Sequence, residues 1–239
     1  MPIKATRFHT SFLEKANHSN SEYLQRLDTA QRDLLFNEAL DIVIEALVKR
    51  TEIDSEVRNH LRLLEKKRVE LNKVDSNEEF DVFAYPDGFY KRLRQEAIAS
   101  KECCQNHKRN LVVRVFNSDE INEARKNTNW KPSWDYEQTF ADEAEKGLYV
   151  WHDGQFNIDQ VYIDYFRKPK EIQAPSFESC GYYINSDGEQ VSNDVDFEID
   201  STYLYRKIVD IAVLLAMRNN NEINNFKTQA ETILFKEKL

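Results

Sequence analysis

The segment that most constrains the fold is the stretch VYIDYFRKP, residues 161–169. Side chains alternate between the two faces of an extended chain, and here one face carries Val161, Ile163 and Tyr165. Proline cannot donate a backbone hydrogen bond to a ladder, so Pro169 predicts where the strand ends. The chain must therefore build a β-sheet around this segment.

The same strand ends in a basic cluster. Arg167 and Lys168 precede Pro169, which places both side chains at the rim of the sheet. A solvated strand end that blocks edge pairing is one interpretation. The other is an ion-pair anchor for an acidic neighbour, and a contact between subunits fits the acidic balance of the chain better than phosphate binding does.

A long amphipathic helix is predicted from Asp28 onward. Asp28 and Gln31 have the spacing of a capping box. The apolar positions at helical spacing are Phe36, Leu40, Val43 and Leu47, widened by Ile42, Ile44 and Val48. Because this surface is broader than one stripe, we expect the helix to be covered on more than one side, by its own domain or by a second subunit.

Two further helices are predicted in the first half of the chain. One starts near Asp54 and Ser55 and runs to Leu71, which would form an antiparallel hairpin with the helix before it. The other starts at Pro86, which suits the first turn of a helix, and runs to about Cys104.

The middle of the chain is predicted to be rich in strands. LVVRVF at 111–116 is a short strand, and Asp153-Gly154 is a strong turn pair that predicts a β-hairpin. The stretch NSDGEQ at 185–190 marks a second turn, within a polar inserted loop at 176–194. DFEID at 196–200 is a last short strand.

The C-terminal region is predicted to be helical. Asp200 or Ser201 caps a helix whose buried face we expect to pack inside the domain; its positions are Leu204, Ile208, Ile211 and Leu215. The fold class is therefore α+β, with an N-terminal helical hairpin or bundle, a small antiparallel β-sheet and a C-terminal helix. We expect one compact unit with a mainly helical part at 1–110, a β-rich part at 111–200 and the C-terminal helix at 201–239 packing back on the helical part.

Charge and composition exclude several protein classes. The formal net charge is -9, whereas a general DNA-coating protein is normally basic. No segment approaches the roughly 18 uninterrupted apolar residues that a membrane span needs, and the N-terminal stretch has no apolar core of a secretory signal. Three cysteines, two of them adjacent, suit a reducing compartment better than a disulfide scaffold.

Motifs for cofactor and metal chemistry are incomplete. Neither a P-loop nor a dinucleotide-binding glycine motif occurs, so we expect no cofactor. The residues that could form a zinc site are Cys103, Cys104, His107 and Cys180, which supply only half of the usual paired spacing. The ordinary alternative is two half-buried cysteines at the end of a helix, and we expect no metal.

Four spaced acids near the C-terminal helix are a further candidate. Asp194, Asp196, Glu198 and Asp200 lie at every second position, so the last three would share one face of a strand and bind a cation weakly. A solvated strand edge protected by charge explains the same pattern. No nucleophilic motif accompanies these acids, and we expect no enzymatic activity.

Four segments, taken in order, carry a family resemblance. They are LDTAQRDLLFNEALDIVIEALV, YPDGFYKRL, VYIDYFRKPKEI and DFEIDSTYLYRKIVDIAVLLA. In this order they resemble the neck or ring (head-to-tail connector) proteins of tailed phages, especially the crAss-like phages of Bacteroidetes. The chain departs from the family pattern in the polar insertion around 176–194 and at Gly88-Phe89.

The resemblance implies a virion structural protein without an active site. Such proteins form a twelve-subunit ring in the neck, with the genome passing through its channel. The implied partners are further copies of the chain, the portal protein, neighbouring ring or tail proteins and, transiently and without specificity, genomic DNA, but no membrane. The protein would be made in the bacterial host cytoplasm and reside in the virion neck or tail.

A ring subunit needs interface residues. Those that we expect at a subunit interface are Arg167, Lys168, Phe36 and Ile42, the first two pairing with acids of a neighbour. The positions that we expect to pack the first helix are Leu35, Asn37 and Ala39.

Two functions of other classes stay open. A nucleic-acid-binding helical module would use two basic clusters, Lys66, Lys67, Arg68 and Lys91, Arg92, Arg94. A helical face of lysines and glutamates is more often only solvated. A metal-dependent hydrolase would use the acids between 194 and 200.

Overall fold

The structure is a computed structural model that describes residues 2–18, 21–51, 55–101, 108–117, 119–127, 129–144, 147–185 and 187–219; for 55–57 and 219 it describes the backbone alone. The chain divides into two compact units. We call residues 1–63 with 169–239 the helical unit, and residues 64–168 the sheet unit. None of the helices in the described ranges has the length and apolar character to cross a membrane.

In its described residues, the helical unit contains five helices. Their bounds are α1 (Ala5–His18), α2 (Glu22–Arg26), α3 (Thr29–Arg50), α4 (Ser55–His60) and α6 (Thr202–Asn219). The segment between residue 169 and α6 adds a 3-10 turn at Pro175–Phe177 and a two-stranded hairpin of β9 (Tyr183–Ile184) and β10 (Gln190–Val191).

The core of the helical unit forms where α6 packs on α1 and α3. Phe8 lies at its centre, with ring centroids 4.7 Å from Tyr205 and 5.6 Å from Phe36. Of the predicted inward positions on α6, Leu204, Ile208 and Leu215 are buried, and Ile211 is half-buried. The helix starts as predicted, because Ser201 Oγ accepts a hydrogen bond from the Leu204 N–H at 3.3 Å.

The sheet unit is built on one eight-stranded sheet. Its strands are β1 (Glu65–Glu70), β2 (Asn72–Ser76), β3 (Phe80–Ala84), β4 (Phe89–Ser100), β5 (Lys108–Phe116), β6 (Gln138–Ala144), β7 (Gly147–Trp151) and β8 (Asn157–Arg167). The strand order is β1-β8-β4-β5-β6-β7-β3-β2. The β5–β6 pair is parallel and the other pairs are antiparallel, so the sheet is mixed; α5 (Ile121–Lys126) lies in the β5–β6 crossover.

The two ends of this sheet are held together by the chain itself. β1 and β2 lie at opposite ends of the strand order, yet Leu71 alone separates them in sequence. Leu71 is buried, and its N–H donates to Val161 O at 2.8 Å. The sheet is therefore curled, and its concave face encloses a core that includes Phe83, Val113 and Val161.

Strand β8 matches the sequence prediction closely. Val161, Ile163 and Tyr165 are buried in the core, and the strand ends at Arg167, two residues before Pro169. β8 is flanked by β1 and β4, which satisfy its backbone on both sides.

The predicted fold class is wrong in its sheet. The sheet is large and mixed rather than small and antiparallel, and it includes four strands from the part of the chain predicted to be mainly helical. The helix predicted from Pro86 to Cys104 is strand β4 over Phe89–Ser100; Cys104 lies outside the described residues. The helix predicted to reach Leu71 ends at His60, and β1 follows.

The physical reason for both errors is the same. Stretches such as EKKR and KRLRQEAIAS consist largely of good helix formers. Strand β8 offers hydrogen-bonding edges on both sides. Long-range strand pairing at these edges outweighs a helix propensity of a few tenths of a kcal/mol per residue.

The hairpin predicted at Asp153-Gly154 is also wrong, although the turn is present. Gly154 adopts φ +73, but β7 before the turn pairs with β3 and β6, whereas β8 after it pairs with β1 and β4. DFEID forms no strand element either. Its Phe197 makes an isolated bridge with Ile3, and Val195, just before it, makes another with Gln173.

The two units also have boundaries that differ from the predicted parts. The predicted division at residue 110 falls inside β5, in the middle of the sheet unit. The helical unit combines the N-terminal residues with the described residues after 168.

Candidate functional site

The best-defined polar site of the helical unit starts at the first turn of α3. The predicted capping box is confirmed: the Gln31 N–H donates to Asp28 Oδ1 at 2.7 Å, and the Asp28 N–H donates to Gln31 Oε1 at 3.1 Å. This cap fixes the start of α3 and thereby the direction of Asp33, one turn later.

Asp33 is a buried carboxylate with three hydrogen-bond donors, which we call the Asp33 network. His9 Nε2 lies 2.7 Å from Asp33 Oδ1, and Asp33 Oδ2 accepts from the Tyr183 hydroxyl at 2.7 Å and from the Ala174 N–H at 3.0 Å. An ionised carboxylate only accepts hydrogen bonds, so Nε2 is the protonated nitrogen of His9. The network joins α1, α3 and the segment before β9, and it compensates the cost of burying the charge.

Aromatic and charged groups surround the Asp33 network. The His9 ring stacks on Phe177 with centroids 4.8 Å apart, and the Arg32 guanidinium lies 5.2 Å from the centre of the same ring. Burial lowers the pKa of Arg32, opposed by the nearby carboxylates of Glu178 and Asp33. Burial and the hydrogen bond to Asp33 raise the pKa of Tyr183, so its hydroxyl remains a donor at neutral pH.

The chemistry open to the Asp33 network is limited. A His–Asp pair can serve as a general base when the other ring nitrogen contacts a nucleophile. Among the described residues, His9 Nδ1 has no hydrogen-bond partner, and His9 itself is fully buried. The contacts that the network does make hold α1, α3, Ala174 and β9 together, as a clamp.

A groove lies beside this clamp, which we call the α3 groove. It has a volume of about 400 Å³. Its lining residues come from the start of α3 and from the segment between 171 and 187, and they include Asp33 and Tyr183 at the Asp33 network. The rim carries Leu34 and Ile184, whose side chains are 62% and 55% exposed.

The predicted interface residues lie in both units. Arg167 is half-buried and its N–H donates to Leu64 O at 2.9 Å, while the Lys168 N–H donates to Gly88 O at 2.7 Å and its side chain is exposed. Ile42 is 43% exposed on α3. Phe36 is fully buried against Phe8 and other rings, so its side chain has no surface to offer a second subunit, and we withdraw it from the expected interface.

The residues predicted to pack α3 against the rest of its domain make such contacts. Leu35 and Ala39 are buried in the helical unit. Asn37 packs through polar contacts, because its side chain donates to Ile172 O at 3.1 Å and accepts from the Ile172 N–H at 2.7 Å. These two bonds attach the segment after Pro169 to α3.

The basic residues proposed for nucleic-acid binding lie on strands rather than helices. The two clusters occupy β1 and β4, on either side of β8. Lys67, Arg68 and Arg94 line one cleft with Tyr162, yet several charges of the clusters are compensated locally. Arg94 pairs with Glu96, Arg92 lies 2.8 Å from Glu143, and Lys67 lies 3.6 Å from Glu65.

Acids between 194 and 200 accept hydrogen bonds from backbone N–H groups. Asp196 Oδ1 accepts from the Ala5 N–H at the start of α1 at 2.9 Å, Glu198 accepts from the Lys170 N–H at 3.0 Å, and Asp194 accepts from the Ser176 N–H at 3.0 Å. Within the described ranges, no three His, Cys, Asp or Glu side chains lie close enough to hold a metal ion. Cys103, Cys104 and His107 of the considered zinc site lie outside those ranges, and Cys180 is exposed.

Sequence reasoning missed the Asp33 network, although one signal was present. Asp33 lies three residues before Phe36 on the predicted buried face of α3, where a charged residue must find partners. Those partners, His9 and Tyr183, are 24 and 150 residues away in sequence, so only the tertiary structure identifies them.

Comparisons with known proteins leave the family open. A scan against models of protein families gives no match, and a search of curated proteins finds no relative.

Proposed function

We propose that this protein is a virion structural subunit, forming a ring in the portal-proximal neck of a tailed phage, with the genome passing through its channel. The proposal rests on the four resembling segments and on the surface of the two units. It assigns no catalytic role to any residue.

The observation that carries the proposal is the outer face of α3. Leu34 and Ile42 are 62% and 43% exposed there, in a helix whose other large apolar side chains are buried. The same face carries Asp41, and also Glu38 and Glu45, which lie 3.7 Å from Arg218 and 2.6 Å from Lys49. Exposed large apolar side chains on one helix face can form the centre of a protein–protein contact, with the acids as its polar rim.

A second patch of opposite charge exists in the sheet unit. Lys168 is exposed at the end of β8, beside Arg167. A closed ring is built from heterologous contacts, which need two different and complementary patches on each subunit. An acidic and apolar helix face with a basic strand end meets that requirement chemically.

The test is the native mass of the purified chain, with negative-stain images of the same sample. We expect closed rings of about twelve copies, and we expect Ile42→Asp to weaken each contact about tenfold or more, because a charge would enter an apolar interface. Tyr136→Asp is the matched control, since Tyr136 is 80% exposed in the sheet unit and its variant should assemble normally.

Template dependence is part of the same test. Because rings of this kind can require a portal to close, a monomeric sample is mixed with an isolated portal ring of a crAss-like phage. Binding that Ile42→Asp abolishes and Tyr136→Asp preserves would support the proposal. A monomer that also fails to bind the portal ring would refute it.

A further inference from the structure

We propose that the α3 groove is a docking site for a segment of another protein chain that carries lysine or arginine beside an aliphatic side chain. This inference goes beyond ring formation, and the groove lies within the helical unit of one chain. Leu34 belongs both to the groove and to the helix face proposed above for the ring contact, so the groove is tested on chains that are not assembled into rings.

The shape of the groove suits a short segment. Its volume of about 400 Å³ falls at the lower end of the roughly 300–1,000 Å³ of small binding sites. One wall is the start of α3, and the other is the stretch from Glu171 to Asp187. A groove of this size receives a few side chains rather than a whole folded surface.

The rim of the groove is apolar. Leu34 projects from α3 with 62% of its surface exposed, and Ile184 projects from β9 with 55% exposed. Both line the same groove, so each of its two walls offers exposed aliphatic surface to a ligand.

The charged residues that line the groove are all acidic. Its lining contains four acids, Asp28, Asp33, Glu171 and Asp187, and it contains neither lysine nor arginine. The carboxylate of Asp33 is occupied by the hydrogen bonds of its network, and that of Asp28 by the cap of α3. Glu171 and Asp187 remain, both exposed and, within the described residues, paired with no lysine or arginine.

The floor of the groove is fixed before any partner binds. Asp33 holds Tyr183 at 2.7 Å, and Tyr183 directly precedes the rim residue Ile184 on β9. Asn37 holds the backbone of Ile172, next to Glu171, with bonds of 2.7 and 3.1 Å. Binding therefore costs little conformational entropy in the protein, so that even a short peptide can bind.

These features together define the partner. An aliphatic side chain would cover Leu34 and Ile184, while a neighbouring ammonium or guanidinium group would meet Glu171 and Asp187. A small polyamine supplies charges on a thin methylene chain without a branched aliphatic side chain, and a neutral peptide supplies no charge, so neither satisfies both parts of the groove.

The test uses three synthetic peptides with blocked ends: Gly-Lys-Leu-Lys-Gly, Gly-Lys-Gly-Lys-Gly and Gly-Glu-Leu-Glu-Gly. Saturation-transfer NMR of the peptide signals is recorded on the full chain as a monomer or, where the chain forms rings, on the Ile42→Asp variant, whose ring contact is weakened so that the Leu34 rim stays accessible. We expect transfer to the leucine methyls and lysine side chains of the first peptide at about millimolar concentration. We expect the second and third peptides to bind about tenfold more weakly.

Two variants locate the binding. The double variant Glu171→Lys with Asp187→Lys should weaken the first peptide about tenfold, through loss of attraction and new repulsion. Glu14→Lys, an exposed position on α1 outside the groove, should leave it unchanged. Equal binding of the two lysine peptides, equal competition by spermidine, or absence of transfer from the first peptide would each overturn the proposal.

Discussion

Single residues in this protein hold together segments that are distant in sequence. Asp33 is the clearest case, since its two oxygens receive hydrogen bonds from His9, Tyr183 and Ala174. His9 lies on α1, Tyr183 on β9 and Ala174 just before the 3-10 turn, so a change at Asp33 alters contacts to three separate segments of the helical unit. The wall of the α3 groove depends on the same contacts.

We predict that Asp33→Asn lowers the free energy of unfolding by about 2–3 kcal/mol, because one oxygen is replaced by a donor that faces existing donors. Urea denaturation followed by circular dichroism measures it. Asp41→Asn, an exposed change on the same helix, should stay within about 0.5 kcal/mol of the parent chain. Equal stability of the two variants would show that the network contributes little.

Secondary-structure elements in the sheet unit depend on close backbone approach. β7 begins at Gly147 with φ +135, and a Cβ built there would lie 2.1 Å from Phe83 O. Phe83 pairs with Leu148, so Gly147 permits the β3–β7 register itself. No other residue type fits that position without moving a strand.

We predict that Gly147→Ala costs about 2–4 kcal/mol of stability, from the steric clash and the unfavourable φ. Gly154→Ala is the matched control. It also has positive φ, at +73, but its Cβ would meet nothing within 4 Å, so it should cost only about 1 kcal/mol. Both values come from urea unfolding, and a Gly147→Ala variant no less stable than Gly154→Ala would contradict this packing.

At the scale of the whole molecule, the chain leaves the helical unit at Leu64 and returns to it at Pro169. The sheet unit is thus one continuous insertion of residues 64–168 with its own buried core. A continuous segment with a core and paired strands has what independent folding requires.

We predict that a fragment of residues 64–168 folds alone. All three tryptophans, Trp130, Trp134 and Trp151, lie in it, so near-UV circular dichroism and cooperative urea unfolding report on its packing. A fragment of 111–200, the β-rich part that the sequence predicts, lacks β1–β4 and should stay unfolded. Folding of the second fragment but not the first would favour the sequence-based boundaries.

How much the sequence predicts differs between the two units for a physical reason. The cap at Asp28, the buried face of α3 and the inward positions of α6 follow from spacing, because a helix satisfies its backbone within itself. Strand β4 was predicted as a helix, since its ladder partners lie on β5 and β8, and local composition carries no information about them.

The candidate site, like the fold, has a part that local sequence predicts and a part that depends on distant contacts. Leu34, Glu171 and Asp187 are ordinary surface residues in the sequence, and the groove exists only because Asp33 and Asn37 bind the segment after Pro169 to α3. Arg167 and Lys168 lie at the end of β8, where the proline rule predicts a strand rim.

The sequence by itself determined where helices α3 and α6 begin, which of their faces are buried, and where β8 lies and ends. These are local properties, set by caps, by periodicity and by the missing N–H of Pro169. Only the tertiary structure decided the eight-strand order, the curl that brings β1 and β2 together at Leu71, and the partners of Asp33. Those features depend on hydrogen bonds and burial between residues far apart in the chain, whose energies no local pattern records.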